Sequence, residues 1–263
     1  MHDRLTTERT VELASGTTMP LLGLGTWQAR GSEAAEAIRF ALEAGYRHID
    51  TATMYGNEGQ VGRALAESGV ARTDVFVTTK LPQGNAGRER ETLVESLAAL
   101  GLDCVDLWLI HWPPGGRARP DVWERLLELQ GEGLAREVGV SNYSLRQIDE
   151  LTDATGRVPA VNQIEWRPAL FDRDVLDGHR LRGVQLEGYS PLRATDLRDP
   201  RLGGIAETHG VTPAQVVLRW HVEHRIVAIP KSTNEARITE NAAIFDFELT
   251  PAEMTTLDGL GRG

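Results

Sequence analysis

Four side chains in this sequence could share proton chemistry if a fold brought them together. Asp50 and Tyr55 lie in the stretch 45–62, GYRHIDTATMYGNEGQVG, Lys80 ends the run VFVTTK, and His111 ends VDLWLIH. A phenol has an ordinary pKa of about 10, so it donates a proton near neutrality only when a neighbouring cation stabilises the phenolate. Lys80 is the cation at hand. A lysine in a low-dielectric site tends to lose its proton, and Asp50 would keep it charged and fixed. His111 could donate to a substrate oxygen and orient it. Such a group suits the protonation of an alkoxide as it develops on a carbonyl carbon. Each residue also has a plainer reading: Asp50 and Lys80 as a structural ion pair, Tyr55 and His111 as boundary residues that bury a ring and wet a tip.

Those residues must be positioned by the elements around them. Short apolar runs recur at 21–25, 48–50, 75–80, 105–110, 137–141, 160–166, 184–190 and 226–231, and stretches with apolar 3–4 spacing lie between them, as at 32–45, 88–101, 122–133 and 212–224. Strands alternating with helices predict right-handed βαβ units, and eight such units in a chain of 263 residues predict a (β/α)8 TIM barrel, one domain over 1–263. The segment TVELASGTTMP predicts a short N-terminal β-hairpin before it. The rival is a doubly wound sheet, but GLGTWQARG (23–31) lacks the third glycine of a dinucleotide fingerprint and puts Trp27 where backbone should approach a pyrophosphate. In a barrel, Asp50, Lys80 and His111 end consecutive strands and Tyr55 follows in a loop, so all four reach one mouth.

Composition narrows the function classes. A formal net charge of −10 speaks against a nucleic-acid partner, and any anionic ligand needs a local basic site. No apolar run reaches the roughly 20 residues of a membrane helix, and MHDRLTTERT is too polar for a signal peptide, so a cytoplasmic protein, monomeric and without a membrane partner, is expected. Cys104 is the single cysteine; in DCVDLWLI it reads as a buried small hydrophobe. His221 and His224, spaced i, i+3 on an expected helix, read as a solvent-facing pair, so no metal is expected. Trp123 and Trp220 read as core, whereas Trp112 could wall a substrate pocket or pack.

Three separated motifs carry a resemblance. GYRHIDTATMYGNEGQVG, REVGVSNY (136–143) and IPKSTNEARITEN (229–241) occur in order, and the chain resembles the aldo-keto reductase family over nearly its whole length. With LIHWP and TPAQVVLRWH it looks most like the prokaryotic branch that includes diketogluconate reductases. The resemblance implies that Asp50, Tyr55, Lys80 and His111 form a catalytic tetrad with Tyr55 as general acid, and that NADPH binds across the barrel mouth. It implies that Ser141, Asn142 and Gln163 hold the carboxamide, that Tyr189 stacks on the nicotinamide, and that Thr26 and Trp27 lie near ring and substrate. Ser190 and Leu192 would follow the pyrophosphate. Ile229 and Pro230 would also bind cofactor, Lys231, Ser232 and Arg237 would hold the 2′-phosphate, and Glu240 with Asn241 the adenine. The substrate would meet Trp27, Tyr55, His111 and Trp112.

Two departures stand out: Tyr189, where that branch often has Trp, and Arg167, where His or Asn is commoner and which reads as a solvated rim charge. The segment after His111 and the chain end are short for the family, which implies an open pocket. The basic cluster KSTNEAR, followed by a short helix from Asn234, suits the dianionic 2′-phosphate of NADPH and its oxidised form. The expected function is NADPH-dependent reduction of aldehydes or ketones. Its rivals are a Schiff-base aldolase using Lys80 and a redox sensor that binds NADPH and turns over little.

Overall fold

The computed structural model describes residues 9–262. Two antiparallel strands come first, β1 (Thr10–Glu12) and β2 (Thr18–Pro20), paired with Val11 opposite Met19. Their turn is made possible by Gly16, whose φ of 89° an L side chain rarely adopts. At its tip Ser15 and Thr17 both donate hydroxyl hydrogen bonds to Glu137.

Eight parallel strands follow in chain order: β3 (Leu24–Gly25), β4 (His48–Asp50), β5 (Phe76–Leu81), β6 (Val105–Ile110), β7 (Ala135–Ser141), β8 (Val161–Glu165), β9 (Gln185–Tyr189) and β10 (Val227–Ile229). Each is hydrogen-bonded to the next, so the register carries the C-terminal ends round to one rim. The two edges of the sheet then meet. Parallel bridges join Leu22 to Ala228 and Gly25 to Lys231, with Gly23 N donating to Ala228 O at 2.9 Å and Gly25 N to Pro230 O at 3.1 Å. A Cβ on Gly25 would stand 2.8 Å from the carbonyl oxygen of Ile229, so this seam requires glycine. The result is the expected eight-stranded α/β barrel with its separate hairpin.

Helices cover the outside: α1 (Gly31–Glu43), α2 (Glu58–Glu67), α3 (Glu89–Leu100), α4 (Pro120–Gly131), α5 (Leu145–Thr155), α6 (Arg173–Leu181), α7 (Pro200–His209), α8 (Pro213–Glu223), α9 (Glu235–Ala242) and α10 (Pro251–Asp258). Local chemistry fixes their ends. Ser144, Thr212 and Thr250 each form a reciprocal capping box with Gln147, Gln215 and Glu253, and Gly101, Gly156 and Gly210 close helices in the left-handed region. With side chains inside and helices outside, β5 and β6 are buried at every position, which is why their sequences show no polar face.

Trp123 and Trp220 are core residues as expected, their indole N–H groups donating to Arg157 O and Asp258 Oδ1. Two expectations need correction. His221 and His224 are not solvent-facing: His221 lies between Val217 O and Trp166 O, and His224 Nε2 contacts Asp258 Oδ1 at 2.7 Å. Residues Gln215 through Val222 of α8 are all buried, which leaves this helix no wet face for a histidine pair. Among the described residues no cluster of three metal-ligating side chains exists. Cys104 is only partly buried, its thiol directed at Val105 O. It sits one residue before β6 begins, at the end of the barrel opposite the C-terminal rim.

Candidate active site

Asp50 ends β4, Lys80 is the penultimate residue of β5, and His111 follows β6 directly. Tyr55 closes a single 3-10 turn, Thr53–Tyr55, that turns the chain back over the barrel end. Thr53 Oγ1 anchors this turn by donating to Lys80 O at 2.9 Å, and Asn57 anchors its exit by donating to Thr26 O and Ala29 O.

The Lys80 ammonium is closed off from solvent and all three of its hydrogens are used. It donates to Asp50 Oδ1, Asp50 Oδ2 and Thr51 O, each at 2.7 Å. Burial, the largest single influence, would lower its pKa, but the charge of Asp50, the Tyr55 phenol, the hydrogen bond to Asp50 and Glu187 together outweigh it and the net pKa is raised, so the group is charged. Its nitrogen is 5.2 Å from the centroid of the Tyr55 ring. Burial raises the Tyr55 pKa and Lys80 opposes that rise; the phenol is therefore protonated at neutral pH and lies in the field of a fixed cation. The His111 ring meets the Tyr55 ring edge-on at 5.7 Å between centroids. Burial first, and then Lys80, push His111 down to about 3, which leaves a neutral imidazole with one N–H to donate. A proton donor, a fixed cation and a neutral hydrogen-bond donor thus converge on one place.

That place is the floor of a cleft of about 390 Å³ at the barrel mouth. Its lining includes Trp27, Asp50, Tyr55, His111, Trp112, Ser141, Asn142, Gln163, Tyr189, Ser190, Ile229 and Lys231, all expected from the sequence. Lys80 lies beneath this floor, and Thr26 is buried beside it, its amide donating to Asp50 O. Trp27 and Trp112 are about half exposed, so the mouth has aromatic walls open to solvent. Ser141, Asn142 and Gln163 do come together, but their donors are already engaged: Ser141 Oγ donates to Gln163 O, Asn142 Nδ2 to His111 O, and Gln163 Nε2 to Asp50 Oδ2. Tyr189 OH donates to Asn142 Oδ1, which fixes the ring. Gln28, Asn142, Ser190 and Ala194 all take a positive φ without being glycine, which places backbone strain in loops around this mouth.

A basic end continues from Lys231. Asn234 caps α9 by accepting from Arg237 N, and neither Lys231 nor Arg237 forms an ion pair among the described residues. Exposed cations beside a helix N-terminus form a site for an anionic group, and with Ser232 this set fits a phosphate. Glu240 is tied to Thr212 Oγ1 at 2.6 Å and Asn241 is buried beside it. Leu192, expected along the pyrophosphate, is outside the cleft lining; it is half-buried and packs against both apolar cores. Pro230 also lies outside the lining, in the seam. Arg167 is not a solvated charge: its side chain is 14% exposed and pairs with Glu165. The sequence reading missed Met54, Glu165 and Arg193, which also line the cleft, and Arg193 stacks over Trp27 at 5.5 Å. Arg193 directly follows GYSPL at a strand end, a position that should have drawn notice.

Comparison with known proteins agrees with this geometry. Residues 21–262 match the model of the aldo/keto reductase family. The chain is 44% identical to morphine 6-dehydrogenase of Pseudomonas putida, over 96% of this chain and 91% of that protein. It is 42% identical to methylglyoxal reductase DkgA of Salmonella typhimurium, over 96% and 94%. The crystal structure of an aldo/keto reductase from Brucella melitensis superposes with a TM-score of 0.92 at 41% identity, covering 97% of this chain and 98% of that one. With the family match over most of the chain, the barrel and these relatives in agreement, the chain belongs to the aldo/keto reductase family and is an oxidoreductase of carbonyl and alcohol groups.

Proposed function

We propose that this protein reduces aldehydes or ketones to alcohols with NADPH, and that Tyr55 donates the proton. The observation that carries the reading is the buried Lys80 ammonium, saturated by Asp50 and Thr51 and 5.2 Å from the Tyr55 ring, with a neutral His111 beside it. The nicotinamide, when bound, supplies the hydride. The residues of the chain do the rest. His111 donates to the carbonyl oxygen and aims it at Tyr55. Lys80 stabilises the phenolate that remains when Tyr55 gives up its proton. Ser141, Asn142 and Gln163 hold the carboxamide, Tyr189 backs the ring, and Lys231, Ser232 and Arg237 hold the 2′-phosphate against the N-terminus of α9.

An aldolase reading requires a neutral lysine amine open to a carbonyl. Lys80 is charged, sealed and spends every hydrogen on the protein, so its geometry disfavours that reading. The chain acts as one barrel domain on small carbonyl compounds in the cytoplasm, as a monomer. No helix among the described residues is long and apolar enough to cross a membrane.

The test is Tyr55→Phe, assayed by NADPH oxidation over a panel of α-dicarbonyls, aldehydes, keto-sugars and ketosteroids. The names of the relatives put methylglyoxal first. The chemical step is expected to fall about 100-fold or more with NADPH affinity held within a few-fold. Near-normal turnover by the variant overturns the assignment, and tight NADPH binding without turnover of any carbonyl by the unmodified protein favours the sensor reading.

A further inference from the structure

A second carboxyl is buried under the cleft, and nothing so far gives it a task. In VQLEGYS the neighbours of Glu187 face outward: Leu186 packs in the apolar cluster with Trp220, and a Cβ on Gly188 would meet Trp166 and His221. Alternation then turns Glu187 into the barrel, where it is fully buried. Its Oε2 accepts from Gln163 Nε2 at 3.0 Å. Its Oε1 has no hydrogen-bond partner and stands 3.7 Å from His48 Nε2. The same Gln163 nitrogen donates to Asp50 Oδ2 at 2.8 Å, and Asp50 holds Lys80. One amide therefore bridges two buried carboxyls, of which Asp50 alone holds the ammonium.

We propose that Glu187 is a positioning residue, a second carboxyl that acts through Gln163 on the Asp50–Lys80 pair and thereby sets the electrostatic potential at the Tyr55 phenol. The inference rests on the reading of Tyr55 as the proton donor. Both hydrogens of the Gln163 amide point at carboxyl oxygens, and Gln163 itself lines the cleft. The titratable groups that face Glu187 are His48 and Asp50 from β4, Lys80 from β5 and Tyr55 from the following turn. His48 is pushed down to about 3 by burial and Lys80, so it supplies no positive charge. With Lys80 matched by Asp50, a charge on Glu187 would be uncompensated. Burial first, and then Asp50, push its carboxyl up to about 8, so it is neutral at neutral pH and ionises in mildly alkaline solution. Ionisation adds a negative charge below the phenol, opposes phenolate formation and slows proton donation.

Glu187→Gln keeps the shape and an oxygen for Gln163 but cannot ionise. With saturating NADPH and 4-nitrobenzaldehyde as the probe, kcat of the unmodified protein is expected to fall about 3- to 10-fold between about pH 7 and about pH 9. The variant should lack that fall, with NADPH affinity within a few-fold. A merely structural role would lower stability and leave the limb in place, so an unchanged alkaline limb in the variant overturns the proposal. A second readout needs no turnover. The ζ-carbon NMR signal of Tyr55, assigned with Tyr55→Phe, should show an inflection near the midpoint of Glu187 in the unmodified protein and none in Glu187→Gln. Its absence in the unmodified protein overturns the inference. An inflection in a protein that reduces no carbonyl leaves the inference standing and sinks the reductase reading.

Discussion

Replacing Lys80 by Met separates a working cation from a structural ion pair. At an effective dielectric of about 20, a unit charge about 5 Å from a forming phenolate stabilises it by roughly 3 kcal/mol. The Lys80 nitrogen is 5.2 Å from the ring centroid, so its removal should cost about two powers of ten in the proton-donation step. Lys80→Met also leaves Asp50 buried without its partner, which should destabilise the fold by about 3–5 kcal/mol. The double variant Asp50→Asn, Lys80→Met removes both charges together. It should recover most of that stability, and because the field of Asp50 had cancelled part of the field of Lys80, its kcat should lie only about 10-fold below the unmodified protein. The assay is single-turnover NADPH oxidation beside urea unfolding of all three proteins. If the double variant folds with unchanged kcat, the pair only holds the barrel end together and the tuning argument fails.

On the proposed reading, in which Arg237 holds the 2′-phosphate, Arg237→Ala should weaken NADPH binding about 10-fold or more and leave NADH nearly unaffected; titration with both cofactors decides, and an equal loss for both would count against the basic cluster. Acid should destabilise the protein through its buried imidazoles. His48 and His221 sit at about 3 and about 4 in the folded state against an ordinary value near 6.5, so the unfolded chain takes up protons first as pH falls below about 6.5. Stability should drop by about 1–2 kcal/mol per group between about pH 7 and about pH 5, read by urea unfolding, and a flat profile over that window would contradict their burial as neutral rings.

Much of the frame was legible because short apolar runs bounded by charges leave little choice. HID and VDLWLI coincide with strands to the residue. LLGLG was read as one strand over 21–25, whereas only Leu24–Gly25 pairs regularly and Leu22 makes an isolated bridge, since the chain is still leaving the hairpin. Side was harder to read than element. In a strand wrapped by helices both faces are buried, so VQLEGYS gave no polarity cue that Glu187 points inward, and a charge inside an apolar run was the only available sign. The same reason hid His221 and His224, because periodicity identifies a wet face only where one exists. Arg193 and Met54 escaped notice because loop conformation, set by positive-φ residues such as Ala194, decides what overhangs the mouth.

The seam between Leu22 and Ala228 also bears on how the molecule comes into being. On a ribosome, the first barrel strand leaves the tunnel about 200 residues before its second neighbour does. Until then one edge of the growing sheet has open peptide groups, able to pair with other chains. The cleft shares this delay, since Trp27 and Lys231 lie on opposite sides of the same seam. The anion site proposed at the Lys231 end would be joined to the cleft only when the sheet closes, so the incomplete chain would be at once the stickiest and the least able to be rescued by its own ligand.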